Sequence, residues 1–195
     1  MLSTLRCTHT YLSHVQKSRF LAQASPAENV TQAMDFIGQV SNFLATHNCW
    51  AYRIGQEYRF SDDGEPGGTA GRPILLAIET QALDRVAVVV TRWYGGIKLG
   101  TGGLARAYGG SAAECLRLAE RQAIVAMARL SLHCSFAELT LMSMRLQELG
   151  ARIEEETFGV DGVTLTLSVP EHQLEAVQAR VRDISHGRSK GRRID

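Results

Sequence analysis

The chain carries almost no net charge. Its 21 Lys and Arg stand against 20 Asp and Glu, a formal balance of +1 over 195 residues. That excludes the strongly basic tail type of nucleic-acid binder and leaves local patches as the only source of electrostatic binding. Cysteine is sparse: Cys7, Cys49, Cys115 and Cys134 form no C-x-x-C metal or redox motif, and they read as free thiols in a reducing cytoplasm. His9, His14, His47, His133, His172 and His186 lack zinc-ligand spacing. No stretch approaches the roughly 20 apolar residues that span a bilayer. Arg6, Thr8 and His9 break up the N-terminus where a secretory signal needs a continuous apolar run. A P-loop, a G-x-S-x-G elbow, an H-E-x-x-H helix, a long linker and a solenoid repeat are likewise missing. The expectation is a cytoplasmic protein with no membrane partner.

Glycine is what the chain has in an unusual place. Of 18 glycines, 11 lie between Gly64 and Gly110, as expected where a backbone turns sharply or sits against something. Around them, 45% hydrophobic residues supply a core. Residues 15–24 alternate as a strand, with Ser18, Phe20, Ala22 and Ala24 on one face and Lys17 and Arg19 on the other. Ser25-Pro26-Ala27-Glu28 reads as a capping box opening a helix that carries Val30, Ala33, Met34, Ile37, Val40 and Leu44 and ends near His47. Cys49–Ile54 is a strand. Thr69 is the predicted N-cap of a short helix with Pro73 in its first turn. Residues 85–91 are a β-branched apolar run suited to a central strand. A further helix places Leu104, Tyr108, Ala112, Leu116 and Ala119 in register.

Two loops hold chemistry-bearing residues. Ser61-Asp62-Asp63-Gly64-Glu65-Pro66-Gly67-Gly68-Thr69 puts three carboxylates just before a helix N-terminus. Carboxylates suit Mg²⁺ and a helix N-terminus suits phosphate, so Asp62, Asp63, Glu65 and Thr69 form either a metal-phosphate site or a set of caps. The second loop runs Arg92-Trp93-Tyr94-Gly95-Gly96-Ile97-Lys98-Leu99-Gly100-Thr101-Gly102-Gly103, then Leu104-Ala105-Arg106. Its amides, with Arg92, Lys98 and Arg106, make an anion cradle. Trp93, Tyr94 and Tyr108 are candidates for base stacking or for packing beneath the loop. Gly100-Thr101-Gly102-Gly103-Leu104-Ala105 matches the dinucleotide pattern formally, but it sits too far from the preceding strand and no second nucleotide half follows. His47 and Cys49 share a strand face without a recognisable catalytic motif.

The last third reads β-α-β-β-α-β, a ferredoxin-like order. Leu130, Leu132, Cys134 and Phe136 alternate on a first strand. Residues 139–149 are helical and 153–158 form a strand. Asp161-Gly162 makes a hairpin into alternating Val163, Leu165, Leu167 and Val169. A helix holds Leu174, Val177, Val181 and Ile184, and residues 185–194 supply a last strand. The outward Thr164, Thr166 and Ser168 offer no aromatic platform for RNA, and Glu154, Glu155 and Glu156 repel phosphate. The domain boundary is placed at 128, giving domains 1–128 and 129–195.

The two glycine loops, with Lys17-Ser18-Arg19-Phe20 and His47-Asn48-Cys49, resemble the signature of the IMPACT/YigZ family, in its bacterial form, over the whole chain. The resemblance implies an α+β protein: an N-terminal ribosomal-protein-S5-domain-2-like domain, then a ferredoxin-like domain similar to the last domain of EF-G. Eukaryotic relatives restrain a starvation kinase acting on translation initiation through an added RWD domain. This sequence shows no such domain, so no RWD-mediated partner is expected. Gly67 and Trp93 occupy variable positions, and Asn48 stands where a histidine is expected, which argues against a paired-histidine mechanism.

The leading expectation is a nucleic-acid or ribosome-binding protein, with a translation factor as a further partner. Its phosphate-binding surface comprises Lys17, Arg19, Arg92, Tyr94, Gly95, Gly96, Lys98, Gly100, Gly102, Gly103 and Arg106, with no cofactor. The alternative is an enzyme acting on a phosphorylated small molecule with Mg²⁺ on Asp62, Asp63 and Glu65. A third reading is an adaptor with purely architectural loops.

Overall fold

The structure, a computed structural model, describes residues 2–194 and is a mixed α+β chain in two compact units, the first ending at Ile124 and the second starting at Val125. In the first unit, β1 (Ser3–Leu5) pairs with β7 (Arg121–Ala123) as a small sheet of its own. The main sheet is antiparallel throughout and ordered β2-β3-β6-β4-β5. Its strands are β2 (His9–Val15), β3 (Ser18–Pro26), β4 (His47–Ile54), β5 (Glu57–Ser61) and β6 (Val86–Trp93). The apolar run is the middle strand, as its composition predicts. Val86, Val88 and Val90 face α2 (Gly71–Thr80) and α3 (Gly100–Leu118) in the larger core, while Ala87 and Val89 face α1 (Val30–Val40) in a smaller one. A strand buried on both faces has no polar face to alternate with, which is why it reads as a continuous apolar run.

Several expectations are corrected here. The helix does not start at Ser25: Ser25 and Pro26 complete β3 opposite Ala87 and Val86. Asn29 caps α1 instead, its side chain accepting from Gln32 N at 3.0 Å, while Gln32 returns a bond to Glu28 N. The N-cap is therefore four residues later than expected, because pairing with the central strand outcompetes a local cap. Nor does α1 reach His47; it ends at Val40, where Ser41 Oγ donates to Ile37 O, and Leu44 is exposed. Lys17 lies in the turn before β3 rather than on its face. The sequence pattern assigns no strand to β1, to most of β2, to β5 or to β7; β5 is a largely exposed edge with no buried alternation.

In the second unit the sheet β11-β8-β10-β9 is antiparallel. Its strands are β8 (Met127–Cys134), β9 (Arg152–Phe158), β10 (Val163–Pro170) and β11 (Arg192–Ile194). Helices α4 (Phe136–Gln147) and α5 (Leu174–Ile184) contribute Met142, Leu146, Val177 and Val181 to its core. Phe136 does not continue β8: it opens α4, behind the Ser135–Glu138 capping box, and is exposed. The last strand occupies only three residues. Among the described residues no helix is long and apolar enough to cross a membrane.

In the first unit, two glycines are needed for backbone contact. A Cβ on Gly95 would stand 1.8 Å from Lys17 O, and one on Gly71 2.6 Å from Ser61 O. We expect Gly95→Ala to lose about 2–3 kcal/mol in urea unfolding through enforced backbone shifts. Gly67→Ala, with nothing within 4 Å, should be near neutral.

Candidate functional site

The acidic loop between β5 and α2 is built as a cap. Asp62 Oδ1 accepts from Ala70 N and Gly71 N at 3.0 and 2.8 Å, and its Oδ2 accepts from Gly68 N at 2.8 Å. The carboxylate thus satisfies the orphan amides at the head of α2 and complements its dipole. Thr69, the expected cap, instead donates its hydroxyl to Pro66 O at 2.6 Å. Asp63 accepts from Asn48 N at 2.6 Å. Its own carbonyl accepts from His47 Nδ1 at 2.7 Å, because a carbonyl has no proton to give.

Glu65 turns the other way, into the protein. Its side chain is 4% exposed and Oε1 accepts from Arg92 Nη1 at 2.6 Å and from Tyr108 Oη at 2.7 Å. Arg92, in β6, is 5% exposed and also reaches Ser18 Oγ at 3.4 Å. Its Nε is the one buried side-chain nitrogen or oxygen among the described residues without a partner. Three long segments meet at this pair: the acidic loop, the middle strand and α3. The three carboxylates therefore do not converge on one point. Among the described residues, no group of three or more His, Cys, Asp or Glu is placed to share a metal ion, so the Mg²⁺ alternative lacks its assembled ligand set.

Above the pair is a cleft of about 490 Å³. His47, Glu65, Arg92 and Tyr94 line one side, and Lys98, Gly100 and Thr101 at the start of α3 line the other. No side chain caps this helix; Leu99 occupies the cap position. On the opposite face of the sheet from Arg92, Arg19 stacks on Trp93 with Cζ 3.9 Å from the ring centroid. The Lys17 backbone lies against Gly95. Gly96 and Gly100 hold φ of 88° and 70°, a region that favours glycine. Gly102 and Gly103 lie within α3.

The five cations expected on one surface are thus divided. Lys17, Arg19 and Lys98 are exposed, and of these Lys98 lines the cleft. Arg92 is a buried ion-pair member rather than a surface cation. Arg106 lines a different, largely apolar groove of about 730 Å³ with Arg72, Pro73, Leu76, Ala77 and Gly109. His47 belongs to the cleft but was outside the expected binding set; its available signal was the shared strand face with Cys49. Tyr108 packs edge-on against Phe20 at 5.2 Å and is fully buried, so it stacks on no base.

Cys49 is buried and donates to Asp62 O. Burial, opposed in part by the Tyr108 hydroxyl and reinforced by Glu65, Asp63 and Asp62, pushes its thiol up to about 12. Burial likewise raises Tyr108, with Cys49 and Glu65 adding to it, and pushes Cys115 up to about 12. Thiols this far from ionisation are poor nucleophiles at neutral pH.

Removing one member of a buried charge pair leaves the other uncompensated, so Glu65→Ala should cost about 3–5 kcal/mol in urea unfolding. Tyr108→Phe, which removes one bond to a charged group, should cost about 1.5–3 kcal/mol. For the thiols, we expect exposed Cys7 to react rapidly with a chromogenic disulfide reagent and buried Cys49, Cys115 and Cys134 only on unfolding. The raised folded-state values also set a pH dependence. Above pH about 9, where unfolded thiols ionise, the unfolded chain releases protons that the folded chain keeps. Stability is then full below that point and declines as pH rises toward 12.

The sequence profile of the Impact N-terminal domain matches residues 16–116, and that of a domain of unknown function, DUF1949, matches residues 132–188. An IMPACT family member of Thermus thermophilus is 47% identical over 158 residues, 80% of this chain and 86% of that protein. IMPACT family member YigZ of Escherichia coli (strain K12) is 33% identical over 185 residues, 91% and 90% of the two chains. A solved structure described as the crystal structure of a hypothetical protein superposes with a TM-score of 0.79 at 31% identity, covering 100% of this chain and 98% of that one. A profile match over more than half its residues and full-length relatives of this identity mean that the chain belongs to the IMPACT family.

Proposed function

We propose that the protein is a cytoplasmic RNA-binding protein linked to translation, docking on the ribosome or a structured RNA through the cleft at the head of α3. The observation that carries this reading is a convergence of features on one end of the sheet. The uncapped first turn of α3, Lys98 and Tyr94 lie around a single opening, and the Lys17 turn and the Arg19–Trp93 stack stand at the same end of the sheet, the stack on its other face. Free helix amides and a lysine suit phosphate oxygens, and exposed aromatic rings suit bases.

The link to translation rests on the family and, by analogy, on the folds. The β-α-β-β-α-β order of the second unit supports a ferredoxin-like assignment similar to the end of EF-G. The five-stranded sheet of the first unit, with helices on both faces, is consistent with a ribosomal-protein-S5-domain-2-like assignment.

With three exposed cations at this end of the sheet, Lys98 alone in the cleft, binding should be modest and steeply salt-dependent. Cosedimentation with ribosomes and binding to a structured RNA across a salt series test this. Arg19→Ala with Lys98→Ala should weaken binding and reduce the log–log salt slope by about 2. An affinity and slope unchanged by that double variant would remove this surface from the function.

A further inference from the structure

We infer that the cleft reads a ribose 2′-hydroxyl beside a phosphate, with His47 Nε2 as the acceptor, so that the protein separates RNA from DNA; this rests on the RNA-binding reading above. The hydrogen-bond pattern of His47 is the starting point. Asp63 O can only accept, so Nδ1 at 2.7 Å is the donor. In the neutral ring Nε2 then carries the lone pair. The nearest carboxylate oxygen, Glu65 Oε1, is 3.8 Å away and already takes bonds from Arg92 and Tyr108. Nε2 therefore has no hydrogen-bond partner among the described residues. The side chain is 20% exposed and lines the cleft.

Apart from the Glu65 carboxylate, which is already paired with Arg92 and Tyr108, the charged and helix-end groups beside it are donors. Lys98 offers an ammonium, Gly100 and Thr101 belong to an uncapped first turn, and Arg92 lines the cleft nineteen-twentieths buried with its Nε unpartnered. A ligand that fits must bring several acceptor oxygens and one donor. Inorganic phosphate at neutral pH brings acceptors and a P–OH donor but no base, and a DNA phosphodiester brings acceptors with neither a P–OH nor a 2′-hydroxyl. An RNA phosphodiester carries both, because its 2′-hydroxyl lies beside the phosphate and can donate. Tyr94, 44% exposed at the edge of the cleft, offers a face to the base. A site built to accept from a hydroxyl discriminates against the analogue lacking it, because its own polar group is left unpaired.

The test uses labelled single-stranded oligonucleotides of one sequence in three forms: RNA, DNA with deoxyuridine in place of thymidine, and 2′-O-methyl RNA. Fluorescence anisotropy with the full chain should show RNA binding about tenfold more tightly than DNA, the size of one hydrogen bond. The 2′-O-methyl strand keeps RNA-like sugar geometry and loses the donor, so it should bind as DNA does. His47→Ala should bring the RNA-to-DNA ratio close to one while leaving DNA affinity in place. Lys98→Ala should weaken both and keep the ratio. Equal binding of RNA and DNA by the unaltered protein, 2′-O-methyl RNA binding as tightly as RNA, or a ratio that survives His47→Ala overturns the inference and spares the RNA-binding reading. No binding of any strand, of structured RNA or of ribosomes overturns both. The methylated probe needs no variant, so the result stands even where His47→Ala fails to fold.

Discussion

The first unit is organised by one buried ion pair. A charged arginine in the middle strand of a sheet is costly unless it is matched, and Arg92 stands next to last in the strand whose other residues are valines, an alanine, a threonine and a tryptophan. Glu65 matches it from a loop 27 residues earlier in sequence, and Tyr108 adds a second bond to the same oxygen from a helix. The low dielectric that makes an unpaired charge expensive here makes the paired geometry strongly specified. The loop, the strand end and α3 therefore hold one arrangement, and the cleft above them has a fixed floor.

That constraint changes what the glycine-rich signature means. Most of its residues are committed to architecture. Asp62 caps α2, Glu65 and Arg92 neutralise each other, Gly71 lets α2 approach Ser61, and Gly95 lets the second loop lie on the Lys17 turn. A sequence motif dense in carboxylates, arginine and glycine invites a metal-phosphate reading. Here the acids and bases are largely spent on one another. What the architecture leaves free to meet a ligand is a smaller set: His47 Nε2, Tyr94, Lys98 and the first turn of α3.

The legible parts of the fold were those set by local pattern. The alternation of Val163 to Val169, the Asp161-Gly162 turn, the central strand and the register of Leu104, Tyr108, Ala112 and Leu116 all follow from side-chain period and turn chemistry. The failures share a different cause: a partner distant in sequence. Ser25-Pro26 has a cap's composition but is claimed by β6. Thr69 has a cap's position, yet the cap arrives from Asp62. Arg92 looks like a surface cation because arginine usually is one, and only its apposition to Glu65 buries it. The sequence therefore marks the two loops that carry these residues but not which of the residues pair with one another.

The near-zero net charge becomes interpretable on the same grounds. Pairing Glu65 with Arg92 and spending Asp62 on helix amides removes charges of both signs from the ligand-facing set, leaving Lys98 as the exposed cation of the cleft. Recognition there cannot depend on a broad positive field, which the overall balance of +1 does not supply. It must depend on short-range groups held in place: an aromatic face, helix amides, and an imidazole whose tautomer is set by a backbone carbonyl. Such groups act only at contact distance, so they add little to the encounter rate and most to the lifetime of a matched complex. A rigid floor is what lets so few of them discriminate between ligands, and that rigidity comes from the buried pair beneath them.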